Sequence, residues 1–255
     1  MEDKVSCYSN KGNKTMIKVT GDIHSDFTRI YDFIKKASRG DILILLGDVG
    51  INILRDYSMD GEMIEREIKK KIDSECQFRG VQVACVHGNH ERRPETVSTY
   101  APFEWHGGVA YREDFAKNIV FLKDGEVYNI NSQTFLVCGG AWSADRDYRL
   151  KNGFPWYADE QPSENTKSRV EQTLDMVGWS VDYVLTHTCP YRLIPSESKS
   201  NICEKPDRST EKWLDFIEKR LDYQIWFCGH WHCDCDKNMG KIRFLYRTIE
   251  TIKEK

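Results

Sequence analysis

The sequence of 255 residues lacks any long hydrophobic run, and its longest apolar stretch, residues 42–46, is far too short to cross a bilayer. Net charge is also low, −3 at pH 7, which argues against a broadly basic surface for nucleic acid. The chain shows neither internal repeats nor low-complexity tracts. Because its polar N-terminus does not resemble a signal peptide, we expect a cytoplasmic protein without a membrane partner.

Nine cysteines are present, an odd number, and without an export signal we expect them to be reduced thiols. Cys233 and Cys235 follow His230 and His232 so closely that a zinc site has to be considered. Structural zinc sites usually take their ligands from two separated pairs, which disfavours a site built within six residues. The alternative for Cys233 and Cys235 is a pair of loop thiols near a metal, open to oxidation.

The first half of the chain alternates apolar and amphipathic segments. Apolar runs at residues 16–20, 41–46 and 81–86 each precede glycine and polar residues, and residues 26–34 and 62–72 between them have helical character. This alternation predicts parallel β-α-β units, whose functional groups collect at the carboxyl ends of the strands. We therefore predict one α/β domain over residues 16–255 after a flexible leader at residues 1–15.

The second half has more closely spaced strands. Those at residues 119–121, 127–130 and 134–138 favour a meander, and later strands and helices alternate up to residue 246. Residues 144–162 and 190–207 are predicted to be long irregular loops, rich in charged and aromatic residues. Loops of that length in a compact domain are often functional.

Residue types that bind metals stand at five predicted strand ends, and five of the seven histidines are among them. The five motifs are Gly21-Asp22-Ile23-His24, Gly47-Asp48, Gly88-Asn89-His90-Glu91, His187 and Gly229-His230-Trp231-His232. Imidazole and carboxylate ligands suit Mn, Fe and Zn. Two such ions about 3.5–4 Å apart can share a carboxylate, activate water and neutralise a phosphoryl group. The motifs together predict a dinuclear site for phosphoester hydrolysis.

In this order the motifs resemble those of the calcineurin-like metallophosphoesterase superfamily, whose pattern is GDxH, GD, GNH(E/D), a lone His and GHxH. The resemblance spans about residues 16–246. It implies a four-layer α-β-β-α sandwich with the dinuclear metal site at the carboxyl ends of the strands. It also implies a hydrolase in which a metal-bridging hydroxide attacks the substrate without a covalent enzyme intermediate.

The resemblance divides the candidate ligands into two sets and a bridge. One ion is implied for Asp22, His24 and His232, and the other for Asn89, His187 and His230. Asp48 is implied as the bridging and catalytic carboxylate, and His90 as the general acid or a donor to the phosphoryl oxygens. The expected ions are Mn or Fe, with Zn as the alternative.

Three functions stay open at this stage. A phosphomonoesterase, a phosphatase acting on phosphoprotein or small phosphates, is the first expectation. A nucleotide or nucleic-acid phosphodiesterase is the alternative, and a non-catalytic metal-binding scaffold is less favoured because every ligand position is filled. The partner is accordingly a phosphorylated substrate, and no oligomeric state is indicated.

Substrate binding is predicted from departures within the motifs. Protein phosphatases of the superfamily carry Asp-Arg-Gly after the second block, where this chain has Val49-Gly50-Ile51, so their phosphate-binding arginine has no counterpart there. We predict substitutes among Arg92, Arg93, Arg146 and Arg149. The aromatic residues of the first long loop either stack on a base or pack the loop onto the sheet: Trp142, Tyr148, Trp156 and Tyr157.

Overall fold

A computed structural model describes residues 15–195 and 206–253. Most of the predicted leader lies outside the described residues, and the single-domain boundary stays a prediction. The helices and strands of the described part follow in chain order: β1 Ile17–Thr20, α1 Thr28–Lys36, β2 Ile42–Leu45, α2 Gly61–Arg79, β3 Gln82–Cys85, β4 Tyr100–Trp105, β5 Gly108–Glu113, β6 Ala116–Leu122, β7 Val127–Ile130, β8 Gln133–Cys138, α3 Arg146–Asn152, α4 Glu164–Met176, β9 Tyr183–Thr186, α5 Ser209–Arg220, β10 Ile225–Cys228, β11 Cys235–Lys237, β12 Ile242–Phe244 and β13 Glu250–Thr251.

The strands form two sheets. The first has the order β13-β1-β2-β3-β6-β5-β4, and the second has the order β11-β12-β10-β9-β8-β7. The centre of each sheet is parallel, from β1 to β6 in the first and from β12 to β8 in the second. Antiparallel strands lie only at the margins. Parallel strands buried on both faces explain why the central strands read as continuous apolar runs.

Three apolar clusters stack through the molecule and define its layers. The middle cluster joins the facing sides of the two sheets, since it contains Val19 and Ile44 of the first sheet together with Phe135 and Leu185 of the second. An outer cluster packs α1 and α2 on the first sheet, and another packs α4 and α5 on the second. The predicted α/β fold, a four-layer α-β-β-α sandwich, is confirmed.

Helix α2 is longer than the sequence predicted, ending at Arg79 rather than near residue 72. Gly80 ends it in the left-handed conformation, φ 71°, which glycine adopts without steric cost. On its inner face Lys69 is buried, and its Nζ lies 2.9 Å from Glu65, 2.7 Å from Glu113 and 2.8 Å from Asn52. A buried ammonium is tolerated only with such partners. One face of α2 is therefore buried although it contains charged residues.

Three features differ from the sequence prediction. The predicted meander is wrong, because β6 pairs in parallel with β3 in the first sheet and only β7 and β8 form a hairpin. The region 144–162 is not wholly irregular, since α3 occupies part of it. Hairpin β4–β5 was not predicted. In the second loop, residues 196–205 lie outside the described part. None of the described helices is long and apolar enough to cross a membrane.

Candidate metal centre

The parallel registers bring the predicted motifs together at one edge of the molecule. In the first sheet Thr20 pairs with Leu45, and Leu45 pairs with Cys85, so three strands end side by side. In the second sheet Thr186 pairs with Cys228. Because each strand ends at the same level, the polar residues that follow all emerge at the same place.

Backbone hydrogen bonds join the loops after these strands. The amide of His24 donates to the Asp48 carbonyl at 2.9 Å, and the amide of Gly229 donates to the His187 carbonyl at 2.9 Å. The two sheets are joined by the amide of His230, which donates to the Asp22 carboxylate at 2.9 and 3.0 Å. The first and last motifs, 208 residues apart, are thus held directly against each other.

One cluster of donor atoms contains Asp22, His24 and His232, whose side-chain ligand atoms lie within 4.8 Å of one another. The Nε2 atoms of the two imidazoles are 2.9 Å apart. The ring of His232 is stacked on Tyr246 with centroids 4.7 Å apart, which orients it. These are the three residues that the sequence assigned to one ion.

A second cluster contains Asp22, Asp48 and His187, again within 4.8 Å. His187 Nε2 is 2.8 Å from Asn89 Oδ1, and His187 Nδ1 is 2.6 Å from the Leu46 carbonyl oxygen. A carbonyl that accepts from Nδ1 leaves Nε2 as the nitrogen able to bind a metal. The ring of His230 lies 5.1 Å from that of His187, centroid to centroid.

Asp48, which is 2% exposed, belongs to the second cluster and also faces His24 of the first. Its Oδ1 is 3.6 Å from His187 Nε2, whereas its Oδ2 is 3.9 Å from His24 Nε2. Oδ1 also accepts a hydrogen bond from the His90 amide at 2.9 Å. Each carboxylate oxygen therefore faces a different cluster.

Burial and neighbouring charge set the protonation of the centre. Burial lowers the pKa of His24 to about 4 and that of His230 well below 6.5, so both rings are neutral and offer lone pairs. Burial raises the pKa of Asp48, but His187 and His90 outweigh it and hold that pKa well below 3.8. Burial would lower the pKa of His187, yet Asp48 and Asp22 raise it to about 9.

The backbone around the clusters is strained in a way that serves close approach. Four of the candidate ligands have positive φ, 43° at His24, 48° at Asp48, 65° at His230 and 47° at His232, a conformation that costs a non-glycine residue of order 1–3 kcal/mol. Gly47 has φ +90°, and a Cβ there would lie 2.4 Å from His187 Nδ1. Only glycine lets the second motif approach the imidazole this closely.

The donor set fits divalent metal ions. Two nitrogens on one ion, each about 2.0–2.1 Å from it, lie about 3 Å apart, close to the 2.9 Å between His24 and His232. The buried carboxylates Asp22 and Asp48 have one charged imidazole, His187, between them in the metal-free chain, and bound divalent ions would supply positive charge in place of its proton. Nitrogen and oxygen donors of this kind suit Mn, Fe or Zn.

His90 lies at the open side of the centre, with its side chain 19% exposed. Its Nε2 is 3.9 Å from Asp48 Oδ2 and 4.0 Å from Asp145 Oδ1. That oxygen of Asp145 is buried and has no hydrogen-bond partner, while its other oxygen accepts from Arg149 Nε at 2.7 Å. Asp145 was not predicted, because it sits in a loop whose path the sequence did not indicate.

The four candidate arginines differ in how firmly they are held. Arg92 forms two hydrogen bonds with Asp56, Arg93 lies 2.5 Å from Asp124, and Arg149 is bound to Asp145. Arg146 only approaches the exposed Asp147, at 3.4 Å, and its guanidinium lies over Trp156, 4.5 Å from the ring centroid. The predicted role of these arginines in substrate binding stays a prediction, and Arg146 is the one most available for it.

Two supporting residues were not assigned a role from sequence. Arg29 donates to the carbonyls of Gly21, Asp22 and Tyr246, fixing the first loop from behind. Glu91 accepts hydrogen bonds from the amides of Gly88, Val49 and Gly50 at 3.0–3.1 Å, so it fastens the third motif to the second. The glutamate of the third motif was visible in the sequence, but its partners were not.

The aromatic residues of the first loop divide into two kinds. Trp156 and Tyr157 are half-buried, and their polar atoms bond to Glu160 and Asp56 at 2.7 Å, so they pack the loop. Tyr148 is 62% exposed and lies near Phe154, with ring centroids 6.0 Å apart.

The two cysteines after the last motif, Cys233 and Cys235, have Sγ atoms 3.4 Å apart and form no disulfide.

Comparison with known proteins agrees with the fold and the motifs. The model of the calcineurin-like phosphoesterase family matches residues 15–234. One crystal structure superposes with a TM-score of 0.50 at 14% identity, covering 94% of this chain and 99% of that one, a likeness in fold. The phosphopantetheinyl hydrolase PptH from Mycobacterium tuberculosis superposes with a TM-score of 0.42 at 14% identity, covering 92% of this chain and 89% of that one. No curated protein matches the sequence.

Proposed function

Because the chain belongs to the calcineurin-like phosphoesterase family, and is therefore a metal-dependent phosphoester hydrolase, we propose that it is a phosphomonoesterase. The substrate is a phosphorylated small molecule or a phosphoprotein whose phosphate sits over the two clusters of donor atoms.

Each ion has three candidate ligands of its own. The proposed sets are Asp22, His24 and His232 for one ion and Asn89, His187 and His230 for the other. Asp48 would serve as a ligand to both ions, which is supported by its two oxygens facing different clusters. When bound, the two ions, Mn or Fe in the first place and Zn as the alternative, supply positive charge and an activated water.

His90 is proposed as the general acid. It reaches the open side of the centre, where the leaving-group oxygen of a bound phosphate would lie, and its Nε2 can pass a proton to that oxygen. Asp145 Oδ1, which has no hydrogen-bond partner, lies 4.0 Å from the same nitrogen of His90. The Asp48 carboxylate holds the His90 backbone amide, so the acid and the bridge keep a fixed spacing.

The observation that carries the preference for monoesters is the availability of Arg146. A phosphomonoester is a dianion near neutral pH and a diester is a monoanion, so a monoester gains more from an additional cation. Arg146 neighbours Asp145 in the chain and, unlike the other three candidates, has no carboxylate within 3 Å. Its guanidinium stacks on Trp156 and its hydrogen bond to the exposed Asp147 is long, 3.4 Å, so we expect that bond to be exchanged for one to a phosphate.

A second candidate is a nucleotide phosphodiesterase, favoured by one aromatic surface. Tyr57, Tyr148 and Phe154 are 48%, 62% and 41% exposed, and the first and last have ring centroids 6.3 Å apart. Arg149 connects this group to the centre, because it binds Asp145 and approaches the Tyr57 hydroxyl at 3.5 Å. Exposed rings beside a phosphate site can stack on a base.

The experiment measures kcat/KM for an aryl phosphomonoester and its diester with Mn²⁺. We expect the monoester to be preferred, and Arg146→Ala to lower its kcat/KM by about 10- to 100-fold, as expected for loss of a charge-assisted hydrogen bond, with a smaller effect on the diester. Arg66→Ala is the matched control, since Arg66 also stacks on an aromatic ring, that of Phe115. A preference for the diester that is lost in Tyr148→Ala would favour the second candidate.

A further inference from the structure

The side-chain amide of Asn89 is held between two groups, each on a different side. Its Oδ1 lies 2.8 Å from His187 Nε2, and its Nδ2 donates to Ser143 Oγ at 2.8 Å. Asn89 is 1% exposed. An amide binds a metal ion through its oxygen, because its nitrogen has no free lone pair. Which way the amide points therefore decides whether Asn89 can be a ligand at all.

The hydrogen-bond partners of Ser143 determine which way the Asn89 amide points. Its hydroxyl donates to Glu160 Oε2 at 2.5 Å, and its amide donates to Glu160 Oε1 at 3.1 Å. Trp156 Nε1 also donates to Glu160 Oε2, at 2.7 Å. A carboxylate that receives these three donors accepts only, so the single hydroxyl proton of Ser143 must point at Glu160.

The oxygen of Ser143 is then left as an acceptor on the side facing Asn89. Only the NH₂ group of the amide satisfies it, and Oδ1 is forced to the opposite side, towards His187. Ser143 is fully buried and Glu160 is 2% exposed, so water does not compete with these bonds. If the Asn89 amide were reversed, its oxygen would face the Ser143 oxygen, so that two acceptors met without a hydrogen between them.

We propose that Ser143 and Glu160 are positioning residues that fix Asn89 with its amide oxygen towards the metal position beside His187. The inference rests on the proposed function, since it needs Asn89 to be a ligand. It assigns a role to the long loop between β8 and α4, which contains α3 and carries both residues. The backbone supports the same arrangement, because the Ala141 amide donates to the Glu160 carbonyl at 3.2 Å. The metal centre is thus built from this loop as well as from the strand ends.

The test uses the whole chain, stripped of metal and titrated with Mn²⁺ by calorimetry, with thermal unfolding measured alongside. We expect two ions per wild-type chain. In Glu160→Gln an NH₂ group replaces one carboxylate oxygen and faces a donor in either orientation, the Ser143 amide or Trp156 Nε1. The Ser143 hydroxyl then no longer has to point at residue 160, and the side-chain amide of Asn89 is no longer held in one orientation. One ion should then bind with unchanged affinity and the other about 10- to 100-fold more weakly, as for other outer partners of metal ligands. Ser143→Ala should do the same.

Glu113→Gln is the matched control. Glu113 is another buried glutamate, 2% exposed, and it accepts from Lys69 rather than from any residue of the centre. This variant should lower the unfolding temperature but leave both Mn²⁺ affinities unchanged. A loss of stability without selective loss of one ion in Glu160→Gln and Ser143→Ala would show a purely structural role and overturn the inference, while leaving the metal centre intact.

A double-mutant cycle makes the test specific to Asn89. If Ser143 acts through Asn89, Asn89→Ala combined with Ser143→Ala binds the second ion no more weakly than Asn89→Ala alone. Additive losses would contradict the proposed route. A wild-type chain that binds fewer than two ions would overturn the proposed function and the inference with it. This outcome concerns the wild type, so it is distinguishable from a failure of the inference alone, which would show only in the variants.

Discussion

The Nε2 atoms of His24 and His232 lie 2.9 Å apart, although the two residues are separated by 208 positions in the sequence. Burial keeps the pKa of both rings below the ordinary value of 6.5, so neither ring supplies a charge that would repel the other. In the metal-free chain the two neutral imidazoles share a hydrogen bond between these nitrogens, and the same spacing suits both nitrogens to bind one cation in its place. This pair joins the first motif to the last in one centre.

Asp48→Asn should abolish turnover and weaken the binding of both ions. The substitution keeps the shape of the side chain, and asparagine tolerates the φ of 48° at this position, so the fold should persist. One oxygen of the bridge becomes an NH₂ group that cannot bind an ion. Metal content by elemental analysis, with circular dichroism as the check on folding, tests this. Two tightly bound ions in the variant would remove Asp48 from the bridging position.

His90→Ala should separate binding from catalysis. The side chain of His90 lies at the open side and is not needed for either donor cluster, so both ions should remain bound. Turnover should fall by about 10²- to 10⁴-fold, the range for loss of a proton-transfer residue. Steady-state kinetics with a saturating aryl phosphate measures this. Wild-type turnover in the variant would exclude His90 as the acid.

Gly47→Ala and Gly107→Ala form a matched pair that isolates the effect of crowding at the centre. Both glycines have positive φ, 90° and 84°, so each alanine incurs a similar backbone strain, roughly 1–2 kcal/mol. The Cβ at position 47 would lie 2.4 Å from His187 Nδ1, whereas the Cβ at position 107 meets nothing within 4 Å.

We therefore expect Gly107→Ala to lower the unfolding free energy slightly and to keep full activity. Gly47→Ala should lower it more and should also reduce Mn²⁺ affinity, because His187 has to move. Chemical denaturation and calorimetry measure the two effects. If the two variants lost the same unfolding free energy and both kept the wild-type Mn²⁺ affinity, the second motif would not hold His187 in place.

The stability of the metal-free chain should fall as pH rises from about 6.5 to about 9. Burial opposes the proton on His187, but Asp48 and Asp22 raise its pKa from 6.5 to about 9, so the folded chain retains a proton that the unfolded chain releases. The stabilisation is complete below pH 6.5 and is lost as pH passes about 9. Burial also raises the pKa of Asp22 from 3.8 to about 7, so its contribution to stability falls as pH rises as well, but mainly between pH 3.8 and 7.

Bound ions should remove much of this dependence, because they replace the proton on His187. Urea unfolding at several pH values, with and without Mn²⁺, measures the change. Calorimetry in two buffers of different ionisation enthalpy should also show protons released on Mn²⁺ binding at pH 7. A metal-free chain whose stability rises over this range would contradict the account of His187.

The sequence predicted the α/β class and the edge at which the centre forms, because apolar runs ending in Gly-Asp or Gly-Asn show both buried strands and the loops after them. It did not predict the hairpin Tyr100–Trp105 with Gly108–Glu113, whose first strand is mostly exposed and contains Pro102. Nor did it give the partners of Ser143 and Asp145. Those contacts depend on the path of a loop whose own residues have no periodic pattern.

The most direct test of the central claim relates activity to the number of ions bound. Metal-stripped protein is loaded with increasing amounts of Mn²⁺, and hydrolysis of an aryl phosphomonoester is measured against the ions bound per chain. We predict no turnover without metal and full turnover only as the second ion binds, with Asp48→Asn inactive throughout. Full turnover of the metal-free chain, or at one ion per chain, would contradict a dinuclear phosphoesterase centre.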